Sequence, residues 1–197
     1  MEENNRISKE GLMDRLISWD GYLKKKVHLV ACGGTAMTLL GVKASTKDID
    51  FIIPDDDEYR YLLGILSDLG YVLVKGGVGW QRPDDFTFDL FAGKYIHTTE
   101  LLESPLEDGN HHPIREFEHI ELSVLNYYDI IISKLFRGSD VDYSDCLELL
   151  RQKRNEIDMG KLEARYKETA SYDVSEKRNL ENWDIFIKLA KEKGLIT

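Results

Sequence analysis

Asp48 and Asp50 stand two residues apart in the run Lys47-Asp48-Ile49-Asp50-Phe51. In a strand that spacing turns both carboxylates to one face and leaves Ile49 and Phe51 on the other. Two like charges side by side are costly unless a cation lies between them, and an all-oxygen pair suits Mg2+ or Mn2+. A third aspartate, Asp89, sits in Phe86-Thr87-Phe88-Asp89-Leu90-Phe91. Alternation there sends it to the face opposite Phe88 and Leu90. Three carboxylates on neighbouring strands outline a two-metal site. Gly33-Gly34-Thr35 follows an apolar run from Val27 to Cys32. Without Cβ atoms the two glycines let backbone N–H groups approach an anion, and a helix over Thr35 to Leu40 aims its positive end at the same place. The expected chemistry is a phosphate cradle facing a metal-binding carboxylate cluster.

The elements that must position these groups follow from periodicity. A helix is expected from Ser8, through Leu12, Leu16 and Trp19, ending near Lys24-Lys25-Lys26. The strand of Val27 to Cys32 and the strand holding Asp48 and Asp50 flank the glycines, and Pro54 ends the second. Asp55-Asp56-Asp57-Glu58 opens a helix to Leu69 with acids in its first turn. Tyr71 to Val74 is a strand, Gly76-Gly77-Val78-Gly79 a hairpin turn before Trp80-Gln81-Arg82, and Pro83-Asp84-Asp85 another turn. From Gly93 to His119 the chain reads as irregular, with His111, His112 and His119 on a surface loop. From Glu121 onward, Leu122, Leu125, Tyr128, Ile131, Ile132 and Leu135 give a helical face. The next helix carries Tyr143, Cys146, Leu147 and Leu150, with Ser139 and Asp142 making a capping-box start. Two more helices, Met159 to Thr169 and Val174 to Lys193, finish the chain. The fold class is α/β (α+β): a small mixed β-sheet flanked by helices over residues 1–120, and a C-terminal helical module over 121–197.

The chain has 197 residues, and 42% hydrophobic content is ample for a packed core. A net charge of −10 argues against a broad nucleic-acid footprint and weakly favours a protein or small-molecule acceptor. Cys32 and Cys146 are far apart and read as reduced core residues, not zinc ligands. No apolar run has the length of a membrane span, so a cytoplasmic protein with no membrane partner is expected.

The apolar residue followed by Gly33-Gly34, a thirteen-residue spacer from Thr35 to Lys47, and Asp48-Ile49-Asp50 resembles the signature of the nucleotidyltransferase superfamily with the DNA polymerase β-like fold. Lys134-Leu135-Phe136-Arg137 followed by Asp142-Tyr143-Ser144-Asp145 resembles a second element, found in the abortive-infection toxin type and its minimal relatives. Val141 stands where that group usually has a basic residue. Thr46 before Asp48-Ile49-Asp50, together with Gly41, is similar to the antibiotic nucleotidyltransferases.

The resemblance implies transfer of a nucleoside monophosphate from ATP or another NTP to a hydroxyl. Gly33, Gly34 and Thr35 would hold the triphosphate, with Lys134 as a point charge on it and Asp145 orienting Lys134 or Arg137. Asp48, Asp50 and Asp89 would bind Mg2+ or Mn2+, and Asp89 would also lower the pKa of the acceptor hydroxyl or accept its proton. The first expectation, from the toxin type, is an acceptor hydroxyl on RNA (tRNA) or a protein, with a possible antitoxin partner. The alternative, from the antibiotic type, is a small hydroxylated acceptor. A third reading keeps the fold as a non-catalytic nucleotide-binding or interaction module.

Overall fold

The computed structural model describes residues 6–74, 78–83 and 86–196. The expected Gly76-Gly77 turn and the Asp84-Asp85 turn lie outside the described residues. Strands are β1 (Ile7–Ser8), β2 (Val27–Ala31), β3 (Ser45–Thr46), β4 (Ile49–Ile53), β5 (Val72–Leu73), β6 (Gly79–Gln81), β7 (Phe88–Ala92), β8 (Tyr95–Ile96), β9 (Thr99–Glu100), β10 (His111–Glu116) and β11 (Ile120–Leu125). Helices are α1 (Lys9–Asp20), α2 (Gly33–Leu39), α3 (Asp56–Asp68), α4 (Tyr127–Arg137), α5 (Asp140–Gln152), α6 (Met159–Ser171) and α7 (Glu176–Glu192). Two compact units result: one lies within Met1–Tyr95 and Glu103–Leu125, the other within Ile96–Leu102 and Asn126–Thr197.

The first unit is built on a mixed sheet in the order β10-β11-β2-β4-β7-β6-β5. β4 and β7 run parallel, as do β11 and β2, while β2 and β4 are antiparallel. All five residues of β4 are buried, so this strand lies at the centre of the unit. Behind β7, Phe88 packs on Trp19 with ring centroids 4.2 Å apart, and Tyr71 closes the cluster edge-on. Asp55 caps α3 by accepting from Asp57 N and Glu58 N, the reason for the acidic run at that point.

Three expectations are corrected. The helix expected from Glu121 starts at Tyr127, because Ile120–Leu125 is a strand paired in parallel with Val27–Ala31. Apolar spacing at Leu122, Leu125 and Tyr128 fits a helix, but Leu122 and Val124 also alternate with Glu121 and Ser123, and the partner strand decides. His111–Glu116, read as irregular, is an edge strand bulged at Pro113 and Arg115. α1 ends at Asp20, so Lys24-Lys25-Lys26 is not a helix end. The Asp20 carboxylate instead accepts from His119 N and Ile120 N, and Lys26 pairs with Glu116 and Glu121 at the start of β2.

The second unit is helical. Asn126 caps α4, whose last residue is followed by Gly138 at φ 69°, a left-handed position that favours glycine. α7 closes over this end: Asn182 donates to Leu135 O and accepts from the Tyr143 hydroxyl, while Arg178 donates to Phe136 O. The last carbonyls of α4 thus find side-chain partners. Phe136, Tyr166, Trp183 and Phe186 form the aromatic core. Burial pushes the Cys146 thiol well above its ordinary value, and both cysteines are buried thiols outside any disulfide. Among the described residues no helix is long and apolar enough to cross a membrane.

Candidate active site

Asp50 and Asp89 are partners in the parallel register of β4 and β7. A carboxylate oxygen of Asp50 and one of Asp89 lie within 4.8 Å of each other. Asp50 is 7% exposed and Asp89 half-buried. Asp48 precedes β4 in a bend and is exposed, so it enters the strand from its open end instead of lying within it. The period-two reading placed Asp48 inside the strand; the ladder begins one residue later, at Ile49.

The glycine pair opens α2, inside its first turn. Gly33 has φ +54°, and a Cβ there would lie 2.5 Å from Asp50 Oδ2. A Cβ on Gly34 would lie 2.5 Å from Thr46 Oγ1. Both glycines are therefore required by how closely the start of α2 approaches Asp50 of β4 and Thr46 of β3. Thr46 Oγ1 and Thr35 Oγ1 both donate to Asp48 O, and Thr35 Oγ1 accepts from Asp50 N at 2.9 Å. Thr35 is fully buried. Its hydroxyl, expected as a donor to the triphosphate, is committed to the main chain of the two aspartates and acts as a clamp on their strand. Thr35→Val keeps the shape and removes both bonds. It should cost about 1–3 kcal/mol in urea unfolding, because Asp50 N is left buried without its acceptor. Thr35→Ser should recover most of that loss.

Lys134 and Asp145 lie in the helical unit. Lys134 Nζ is 2.7 Å from Asp145 Oδ2 and 3.6 Å from Asp142 Oδ1, and the lysine side chain is 3% exposed. Lys134 and Asp145 thus form a buried ion pair, with the ammonium set between two carboxylates of α5. Beside it, Arg137 grips Asp142 through two nitrogens, and Ser139 completes the capping box. Burial raises the Asp142 carboxyl, but the Arg137, Ser139 and Lys134 partners outweigh it and bring it to about 2. A depressed carboxyl stabilises the fold fully above the unfolded value near 4 and loses that contribution as pH falls through about 2. Arg137 remains partly in water, so the loss is at most about 2 kcal/mol. Urea unfolding between pH 5 and 2 should show this drop in the wild type and a flatter profile in Asp142→Asn.

The carboxylate oxygens of Asp50 and Asp89, in register on adjacent strands, are donors of the kind that holds Mg2+ or Mn2+. Asp20, Glu118 and His119 also come within 4.8 Å of one another, but there Asp20 already accepts two backbone N–H groups.

The model of the family described as nucleotidyltransferase of unknown function (DUF6036) matches residues 14–193. The chain belongs to that family. Among solved structures, this nucleotidyltransferase is similar to the antibiotic-resistance factor ANT(2'')-Ia in solution. That likeness has 19% identity and a TM-score of 0.52, covering 81% of this chain and 90% of that one. The same enzyme in complex with adenylyl-2''-tobramycin gives 13% identity and a TM-score of 0.54, covering 81% and 95%. Identities this low speak for a shared nucleotidyltransferase fold. No curated protein matches the sequence. The sequence names Gly33, Gly34 and the three aspartates as candidates; the clamp role of Thr35 is not apparent from it, the available signal being its place one turn before Leu39 and its polar side chain in an apolar setting.

Proposed function

We propose that this nucleotidyltransferase transfers a nucleoside monophosphate from an NTP to a hydroxyl of a small, positively charged acceptor, at a site made of Asp48, Asp50 and Asp89. The observation that carries the reading is the in-register pair of Asp50 and Asp89, with Gly33 stripped of a side chain against the Asp50 carboxylate. The three carboxylates would hold Mg2+ or Mn2+, which when bound would supply charge neutralisation on the triphosphate and a lowered pKa of the acceptor hydroxyl. Gly33 and Gly34 leave open backbone for the triphosphate, and Thr35 keeps Asp48 and Asp50 aimed. Asp89 takes the proton from the acceptor hydroxyl. The acceptor oxygen bonds to the α-phosphorus, the bond to the bridging oxygen breaks, and pyrophosphate leaves.

The net charge of −10 favours a cationic acceptor over a polyanion, and the complex of ANT(2'')-Ia with adenylyl-2''-tobramycin offers a precedent in a related fold. α-Labelled ATP, CTP, GTP and UTP would be supplied with Mg2+ or Mn2+ to the protein alone, to total RNA and to polyhydroxylated amines including tobramycin. Label on an amine supports the reading. Label confined to RNA or to the protein overturns the small-molecule acceptor and favours the toxin-like alternative.

A further inference from the structure

We infer that Gly79 is a positioning residue of the carboxylate pair, reserving the space in which the Asp89 carboxylate sits. This rests on the assignment of Asp89 to the site. Gly79 is buried on β6 and is the antiparallel register partner of Asp89 on β7. A Cβ at Gly79 would stand 2.9 Å from Asp89 Oδ1 and 2.8 Å from Thr87 Cγ2, closer than real Cβ contacts come. Gly79 does not lie in the left-handed region, so its backbone admits alanine. The demand for glycine therefore comes from the side chains across the ladder.

Asp89 is flanked on one side by Asp50 of β4 and on the other by Gly79 of β6. Asp50 itself lies against the Cβ-less Gly33. Each of the two carboxylates thus has its own glycine, one from α2 and one from β6, and the pair stays at the separation a shared cation needs. A methyl at Gly79 can be relieved in two ways: Thr87 can turn its methyl aside, or Asp89 can swing its carboxylate. The first is cheap at a half-buried threonine; the second moves a ligand and a proton acceptor out of place.

The test is Mn2+ titration by calorimetry and NTP turnover on the full chain, for wild type, Gly79→Ala, Asp89→Ala, the double variant, and Gly79→Ala with Thr87→Ser. Gly79→Ala is expected to weaken Mn2+ binding by at least about 5-fold and to lower kcat by about 10-fold or more, with KM for NTP within about 3-fold. Adding Gly79→Ala to Asp89→Ala is expected to change Mn2+ affinity no further, since the group it displaces is gone. Thr87→Ser, which removes the Cγ2 contact, is expected to leave the Gly79→Ala defect in place. Wild-type Mn2+ affinity and kcat in Gly79→Ala, or full recovery with Thr87→Ser, would overturn the inference. If Gly79→Ala fails to fold, the double variant decides: folding restored by Asp89→Ala supports the contact, and continued failure overturns it. Unchanged turnover in Asp89→Ala would remove the catalytic assignment itself, whereas loss there with normal Gly79→Ala would remove only the role of Gly79.

Discussion

Asp50→Asn is expected to lower nucleotidyl transfer by about 10³-fold or more while leaving unfolding stability within about 1 kcal/mol of wild type. The amide keeps the volume of the carboxylate, and the bond to Thr35 Oγ1 is donated by the Asp50 backbone N–H, which the change does not touch. What goes is one negative charge at a 7% exposed position beside Asp89. Relief of like-charge repulsion with Asp89 offsets what the lost charge gave the fold, so the stability change is small. In the proposed site it would be a metal ligand and half of a charge pair whose field acts on the triphosphate. Steady-state transfer with labelled NTP and a urea curve on the same sample check both halves. Transfer at the wild-type rate would move the site elsewhere.

The largest effect on stability is expected at Lys134. Lys134→Met fills the same space but leaves Asp145 and Asp142 without their ammonium, in a helical pair where Asp142 is fully buried. Breaking a buried ion pair on one side costs about 3–5 kcal/mol, which for a chain of this size lowers Tm by about 10 °C. The companion variant Lys134→Met with Asp145→Leu should recover most of the loss, because the pair's attraction is largely spent on its own desolvation. Calorimetric scans of the two variants measure the difference. Equal destabilisation in both would mean that Lys134 supports the unit through packing of its stem alone.

Much of the site could be read from residue types and spacing. Asp48-Ile49-Asp50, the Gly33-Gly34 pair and an aspartate in the apolar strand of Phe88 and Leu90 are local patterns, and the capping box of Ser139 with Asp142 is another. What brings Asp50 beside Asp89 is strand order, and nothing local tells that β7 follows β4 in the sheet. The same holds for Ile120–Leu125: its side chains satisfy helix and strand periods alike, and only pairing with β2 resolves them. The glycines carried a second message that spacing hides. Gly33 suggested phosphate binding by type, but its nearest demand is the Asp50 carboxylate, and Gly79 was read as turn chemistry although it faces Asp89 across a ladder. Lys134 and Asp145, eleven residues apart, pair only because α4 and α5 fold back on each other through Gly138, whose left-handed φ lets the chain reverse.

The most direct test of nucleotidyl transfer at this site compares α-labelled with γ-labelled ATP, or whichever NTP is turned over, in one reaction with Mn2+. The account predicts that the α-label moves to the acceptor and the γ-label leaves as pyrophosphate in equal amount, both dependent on Asp50. Transfer of the γ-label to the acceptor, or release of labelled orthophosphate with the α-label left on nucleoside diphosphate, would contradict it.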